Sequence, residues 1–132
     1  MSGLVLKLAP RERVLINGAV IENGERRSKI TIVNQHAKIL RLKDAIHPSD
    51  VNTPVKQACY LAQLLLSGEV DNETVTTRLK EQVRVLKRVF ERTAYLSEIE
   101  KAGTSIDGGN IYLGLKSLRG LLAIERSLLR QG

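Results

Sequence analysis

The chain has 132 residues and a mass of 14.7 kDa, enough for one domain with a hydrophobic core but not for two. Its 42% hydrophobic and 27% charged residues are typical of a soluble globular protein and exclude wholesale disorder. The net charge of +7 indicates an acidic partner, such as nucleic acid, an anionic membrane surface or an acidic protein, while only 3% aromatic residues exclude a surface built on base stacking.

The first third of the chain shows the short alternating pattern of antiparallel β-strands. Residues 4–8 place three leucines on one face of a strand. Residues 29–33 set Ile30 and Ile32 against Lys29 and Thr31, and residues 39–43 set Leu40 and Leu42 against Arg41 and Lys43. Glutamates would face each other across a tight turn at residues 23–24, so we expect a longer loop over residues 23–26. The pattern predicts four or five short strands.

A hairpin is the most specific local prediction in this region. Asn17-Gly18 separates two apolar runs and favours a two-residue turn with both residues at positive φ. This turn sets Val14 opposite Ile21 on one face and Arg13 opposite Glu22, a favourable charge pair, on the other.

After the strands the hydrophobic pattern changes to the helical period. Thr53-Pro54 combines an N-cap with a proline at the first helical position, and the helix ends at Gly68. We expect a second, long helix from residue 71 or 72 to about Ala102, broken by Gly103 to Gly109, and a third from Asn110 toward Arg130.

The predicted fold class is therefore α+β, with a small antiparallel β unit followed by three α-helices. Residues 1–53 form the β unit and residues 54–132 the helical segment, best treated as one compact domain. A sheet this short buries little surface alone, so either the helices cover it or it pairs with another chain. The wide apolar faces of the helices leave room for a second copy or another partner.

We find no constellation of residues typical of an enzyme. Cys59, the only cysteine, lies among apolar helix residues and is read as a small buried hydrophobe rather than a nucleophile, while His36 and His47 lie in loops. We expect no catalytic residue, no cofactor and no metal site. The chain has a lone cysteine, and its first ten residues do not resemble a secretory signal, so we expect a cytoplasmic protein. No apolar run reaches membrane-spanning length, so we expect no membrane partner.

Positive charge is denser in the β unit, with a net charge of +4 in residues 1–53 and +3 in the longer remainder. Eight basic residues of this unit are candidates for nucleic-acid contact: Lys7, Arg11, Arg13, Arg26, Arg27, Lys29, Arg41 and Lys43. On strands, several of them fall opposite the most apolar faces, which allows a continuous basic surface; a solvated sheet face is the equal alternative. A second basic stripe, at Lys80, Arg84, Arg88 and Arg92, is read as a solvated helix face.

The sequence resembles a known family over nearly its whole length. Residues 4–10, 12–14 and 16–24 look like the opening of FlbT, a family of flagellar regulators. The segment from Ile39 to Pro48, followed by Val51-Asn52-Thr53-Pro54, resembles its connector, and Gly109 to Arg119 is similar to its C-terminal helix. The likeness is weaker between Asn72 and Ser105. The β unit also distantly resembles the hairpins of the translational repressor CsrA.

This resemblance implies a cytoplasmic, non-enzymatic repressor of flagellum biogenesis that acts after transcription. Members of the family bind the 5′ untranslated leader of flagellin mRNA, lower its translation and promote its decay, and a small helical protein, FlaF, acts in the same pathway. Under the CsrA likeness, Lys7, Arg13, Arg41 and Lys43 are the foremost RNA contacts. The alternative is a protein-interaction adaptor whose helices bind FlaF or flagellin, with indirect effects on mRNA. A homo-oligomer through the helices or the sheet is compatible with both.

Overall fold

The computed structural model describes residues 3–34, 36–68 and 71–131, and within them five strands precede five α-helices. The strands are β1 (Leu4–Leu8), β2 (Arg13–Ile16), β3 (Ala19–Glu22), β4 (Ser28–Ile32) and β5 (Ile39–Arg41). The helices are α1 (Pro54–Ser67), α2 (Asn72–Val89), α3 (Leu96–Asp107), α4 (Ile111–Arg119) and α5 (Leu122–Gln131). The predicted α+β class is confirmed.

The predicted hairpin forms between β2 and β3. Asn17 and Gly18 adopt φ angles of 49° and 87°, and Val14 lies opposite Ile21 in the antiparallel register. β5 pairs with the other edge of β2, which gives a three-stranded sheet of order β3-β2-β5. β1 and β4 form a separate two-stranded sheet, so the chain between β3 and β4 crosses from one sheet to the other.

The three-stranded sheet is the middle layer of the molecule. Leu15 and Leu40 point from one face into the large core formed with the helices. Val14 and Ile39 point from the other face into a smaller core, where they meet Leu6 and Leu8 of β1. β2 and β5 therefore contribute to a core on each face of the middle sheet, whereas β3 is exposed along its length and the outer face of the two-stranded sheet carries Lys7 and Lys29.

The expected strand over residues 39–43 is too long. β5 ends at Arg41, and Leu42–Asp44 forms a turn of 3-10 helix in which the Ala45 amide donates to the Leu42 carbonyl at 3.2 Å. Lys43 is thus carried by a tight turn at the end of the sheet, not by a strand face.

The prediction of three helices is also wrong, because the second and third each divide. α2 ends where the Thr93 hydroxyl donates to the Phe90 carbonyl at 2.8 Å and accepts from the Tyr95 amide at 3.1 Å, which competes with helix continuation. Gly103, expected to lie in a break, lies inside α3 against α2, where an added Cβ would be 3.4 Å from Val83 Cγ1. The predicted third helix divides near Gly120 into α4 and α5.

The first turn of α1 is hydrogen-bonded to both α5 and α2. Thr53 caps it by accepting from the Lys56 amide at 3.2 Å. Glu125 of α5, 6% exposed, accepts from the Val55 amide at 2.9 Å and from the Thr53 hydroxyl. Gln82 of α2 donates through Nε2 to the Pro54 carbonyl at 3.0 Å. In the described part of the chain, no helix is long and apolar enough to cross a membrane.

Candidate nucleic-acid interface

Four of the eight predicted contact residues line one groove at the end of the two-stranded sheet. Lys7 comes from β1, Lys29 from β4, Arg27 from the residue just before β4, and Lys43 from the turn after β5. The groove encloses about 390 Å³ and is completed by Leu8, Ala9 and Ser28. Among the described residues that line it, four are basic and none is acidic. We call these four residues the basic groove.

Lys7 and Lys29 are direct cross-strand partners in the β1–β4 register. The Leu8 carbonyl faces the β4 side, where it accepts from Asn23 Nδ2 at 3.4 Å, while the Lys7 carbonyl faces away and accepts from Arg41 Nη2. Lys7 and Lys29 are therefore a non-hydrogen-bonded pair, the type in which Cα atoms lie about 4.5 Å apart and side chains are closest. Like charges directly opposite each other are unfavourable, and a bound anion would relieve the repulsion.

A buried carboxylate supports the base of the groove. Glu12, 8% exposed, accepts from Arg41 Nε at 2.7 Å and Nη2 at 2.8 Å, and from the Ala9 amide at 3.0 Å. The hydrogen bonds from Arg41 are the largest cause that lowers the pKa of Glu12 to about 2, against the opposing effect of burial. Lys43 Nζ lies 3.9 Å from the same carboxylate. Glu12 thus fixes Arg41 and also attracts the ammonium of Lys43.

The guanidinium of Arg41 is therefore held by contacts within the protein and is only slightly exposed to solvent. Its side chain is 18% exposed and its Nε and Nη2 atoms are engaged by Glu12 and by the Lys7 carbonyl. The hydrogen bond with Glu12 is also the largest cause that raises the pKa of Arg41. By pointing from the middle sheet toward β1, Arg41 connects the two sheets beside the groove.

The remaining three predicted contact residues lie outside the groove. Arg13 pairs with Glu22 at 2.9 Å, and Arg11 pairs with Glu25 at 3.0 Å and with Glu22 at 3.6 Å. These pairs are exposed, and the hydrogen bond from Arg13 is the largest cause that lowers the pKa of Glu22. Arg26 is exposed on the β3–β4 loop. The structure therefore divides the predicted surface into two parts. The described residues that line the groove include no acid, although Lys43 lies near Glu12, and at the exposed edge Arg11 and Arg13 are paired with glutamates.

Two residues that the sequence analysis did not select organise the site: Glu12 and Asn23. Asn23 Nδ2 donates to the Ala9 carbonyl at 2.8 Å and to the Arg26 carbonyl at 2.9 Å, and Asn23 Oδ1 accepts from the Ser28 hydroxyl at 2.7 Å. These bonds hold the start of β4, and with it Arg27 and Lys29, beside the end of β1. The sequence signal was an isolated acid among basic residues for Glu12 and a turn-forming Asn-Gly for Asn23.

The described residues give little support to a metal site or a reactive cysteine. They contain no group of three or more His, Cys, Asp or Glu side chains placed to hold a metal ion. Burial raises the pKa of the Cys59 thiol to about 12, so the sulfur stays protonated and is a poor nucleophile near neutral pH. A buried, protonated thiol agrees with the role of a core residue predicted for it.

Comparison with known proteins gives one consistent family. The profile of the family described as "Flagellar protein FlbT" matches residues 4–129. A "probable flagellum biosynthesis repressor protein FlbT" from Allorhizobium ampelinum is 28% identical over 128 residues, which cover 97% of this chain and 85% of the relative. The protein of that description from Agrobacterium fabrum is 27% identical with the same coverage, and "FlbT 1" from Bradyrhizobium diazoefficiens is 31% identical, covering 95% and 84%. No solved structure matches.

Proposed function

The chain belongs to the FlbT family of flagellar proteins, and from that premise we propose that it is a non-enzymatic, cytoplasmic repressor of flagellum biosynthesis that binds RNA through the basic groove. Its relatives carry the description of flagellum biosynthesis repressor. The proposed target is the 5′ untranslated leader of flagellin mRNA, whose binding lowers translation and promotes decay of the message. We propose no role for this surface in binding DNA or a membrane.

The observation that carries the proposal is the like-charged pair of Lys7 and Lys29. Two lysines directly opposite each other repel in the free protein, whereas a phosphate between them would be attracted by both. Arg27 and Lys43 stand in the same groove, so four cations are available to one short stretch of backbone phosphates. The volume of about 390 Å³ lies in the range of small-ligand sites and suits one or two nucleotides.

The scarcity of aromatic residues decides how such a site would recognise RNA. Single-stranded RNA is commonly bound by bases stacked on exposed rings, and none of the described residues that line the groove is aromatic. Affinity would come from phosphate contacts, which position the strand, and sequence preference from base edges reached by hydrogen bonds, with Arg27 the best-equipped donor. Binding of this type weakens steeply with salt.

Photo-crosslinking of the purified protein to flagellin leader RNA tests the proposal. We expect the crosslinked peptides to contain the ends of β1 and β4 and the turn at Lys43. The lysines and arginines of α2 provide an internal control, because they are as basic but belong to the helical layer. Crosslinks confined to α2, or equal in both places, would mean that RNA follows net charge and that the basic groove is not the site.

A further inference from the structure

β1 and β5 lie side by side without pairing. Among the described strands, β1 pairs only with β4 and β5 only with β2, so each has one unpaired edge. The guanidinium of Arg41 in β5 donates to the Lys7 carbonyl of β1, so the two strands are joined here by a side chain and not by their backbones. We call the gap between the two edges, lined by Val5 and Leu6 on one side and by Leu40 and Arg41 on the other, the β1–β5 cleft.

The edge of β1 directs backbone groups into this cleft. In an antiparallel strand the backbone groups of alternate residues point to the same side. The Lys7 carbonyl points away from β4, toward Arg41, so the amide and carbonyl of Val5, two residues earlier, point the same way. Among the described residues, these two groups of Val5 have no hydrogen-bond partner. The edge of β1 is therefore open to a further strand.

The edge of β5 directs backbone groups into the cleft from the opposite side. The Lys38 carbonyl accepts from the amide of Asn17, the residue after β2, at 2.9 Å, so Lys38 and Leu40 direct their backbone groups toward β2. The amide and carbonyl of Ile39 therefore point toward the cleft, as does the amide of Arg41. Ile39 is 2% exposed, and its backbone groups have no hydrogen-bond partner among the described residues. Buried backbone groups are nearly always paired, so this orientation favours a further strand in the cleft.

The cleft also has the direction and the space that an inserted strand needs. Leu4 lines one cavity together with Ile39, and Lys7 contacts Arg41, so β1 and β5 run in the same direction. A strand between them can therefore be antiparallel to both. The cleft encloses about 380 Å³, in the range of small-ligand sites, and Tyr112 of α4 lines it beside the two strands.

We propose that the β1–β5 cleft binds an extended segment of a partner protein as a strand between β1 and β5. The segment accepts from the amides of Val5 and Arg41 and donates to the carbonyls of Val5 and Ile39, which joins the two sheets. Binding by strand addition takes its affinity from main-chain hydrogen bonds and its specificity from pockets for alternate side chains. The proposal is independent of RNA binding, because the basic groove uses side chains at the end of the two-stranded sheet and the cleft uses the edge of β1.

The geometry of the cleft decides what kind of segment can enter it. A strand that lies between two edges must have both of its own edges free. β3 and β4 of a second copy each have one edge occupied by a neighbouring strand, so neither can enter without leaving its own sheet. A helix uses its main-chain groups internally, and nucleic acid has no alternating amides and carbonyls. The occupant is therefore an isolated extended segment, from a terminus or a loop of another protein.

The side chains around the cleft define the composition of this segment. Alternate residues of the inserted strand face the small core, where Leu6 and Tyr112 favour apolar side chains. The other residues face outward, and Lys116 and Arg119 of α4 line the cleft beside them. Arg119 already pairs with Asp44 at 3.2 Å, whereas Lys116 is exposed and forms no ion pair among the described residues. The segment thus alternates apolar residues with acidic or polar ones.

The test is amide hydrogen exchange, followed by NMR, in the isotopically labelled full chain with a peptide of about seven residues that alternates valine and glutamate, long enough to span β1. We expect saturable binding and about tenfold slower exchange of the Val5 and Arg41 amides. Thr31, opposite Val5 in β4, directs its amide to the other edge of the sheet and should be unaffected. The same peptide with N-methyl groups at alternate residues should not bind, because one of its edges can no longer donate.

Two proline variants form a matched pair that tests the edge itself. Val5→Pro removes an amide that faces the cleft and keeps the hydrogen bonds between β1 and β4, so peptide affinity should fall about tenfold. Thr31→Pro removes the corresponding amide at the opposite edge of the same sheet and should leave peptide affinity unchanged. If either variant fails to fold, the exchange measurement on the wild type decides the outcome.

Four results would overturn the proposal. They are no saturable binding to the wild type, equal binding of the N-methylated peptide, peptide affinity unchanged by Val5→Pro in a folded variant, and slower exchange at Thr31 in place of Val5. A concentration-dependent dimer that slows exchange at Val5 without peptide would also overturn it, because a second copy would then be the occupant.

Discussion

Replacement of Lys29 by Gln should raise the stability of the free protein and lower its affinity for RNA. Lys29 faces Lys7 across β1 and β4 in a pair where side chains are closest, with Arg27 and Lys43 beside them. Removing one charge relieves the repulsion between the two lysines in the free protein. Because a cross-strand pair typically contributes about 0.2–1 kcal/mol, we expect the free energy of unfolding to rise by roughly 0.5 kcal/mol. The gain should shrink as salt screens the repulsion.

The same substitution should weaken RNA binding and its dependence on salt. Each phosphate neutralised on single-stranded RNA contributes about −0.7 to the slope of log affinity against log salt, so four groove cations give about −3. Lys29→Gln should flatten the slope by about 0.7, and Lys7→Gln with Lys29→Gln by about 1.4. Urea denaturation of the free protein and anisotropy titrations of leader RNA over a salt series measure the two effects.

The control is Arg84→Gln, which removes one exposed charge from α2. It should leave the RNA slope near that of the wild type. Arg41 is unsuitable for this test, because its loss would leave the carboxylate of Glu12 buried and unpaired. If Lys29→Gln destabilises the protein, the two lysines do not repel each other. If Arg84→Gln flattens the slope equally, phosphate contact is not concentrated in the groove.

Three further predictions address the framework that carries the groove. Glu12→Gln should lower the free energy of unfolding near pH 7 by about 3 kcal/mol, which is the energy equivalent of holding the Glu12 pKa at about 2 instead of 4.5. In urea titrations, the wild type should lose this contribution as the pH falls from about 4.5 to 2. The variant should lack that dependence on acid. Gly18→Val should cost about 1–3 kcal/mol in thermal denaturation, because φ is +87° there and no neighbour lies within 4 Å, so backbone strain alone acts. Gly114→Ala should destabilise by about 1–3 kcal/mol, since an added Cβ would lie 2.6 Å from Ile106 Cγ1, whereas Gly103→Ala, with its nearest contact at 3.4 Å, should be tolerated. Equal melting temperatures for the two alanine variants would refute the difference in packing.

The hairpin could be predicted because its determinants are local. Asn17-Gly18 specifies the turn, and the turn fixes the register that pairs Arg13 with Glu22 at 2.9 Å. The capped start of α1 at Thr53-Pro54 was predictable for the same reason. Helix ends without glycine or proline were not, because the end of α2 depends on the hydroxyl of Thr93, which can equally well be accommodated inside a helix.

The candidate site was only partly predictable, because alternation shows two faces of a strand but not what covers each face. For β5, the face of Arg41 was expected to be solvated, yet it is turned toward the two-stranded sheet, where Glu12 receives the guanidinium. For β1, the face of Lys7 does meet solvent, because no element in the described part of the chain covers the outer side of that sheet, where Val5 and Lys7 are both exposed. Which basic residues stay available thus depends on the order of the layers, a long-range property.

The arrangement of the two sheets also explains why cations can be concentrated at one end of β1. Arg41 stands between the sheets, and its buried carboxylate partner, Glu12, compensates that charge inside the molecule. Arg41 is thus neutralised inside the molecule. Among the residues that the structure describes, the nearest carboxylate to a cation of the basic groove is that of Glu12, 3.9 Å from Lys43 Nζ. A surface of this kind costs stability in the free protein and recovers it only when an anion binds. The proposed phosphate contact would relieve the unfavourable pairing of Lys7 with Lys29, and the Lys29→Gln variant tests this.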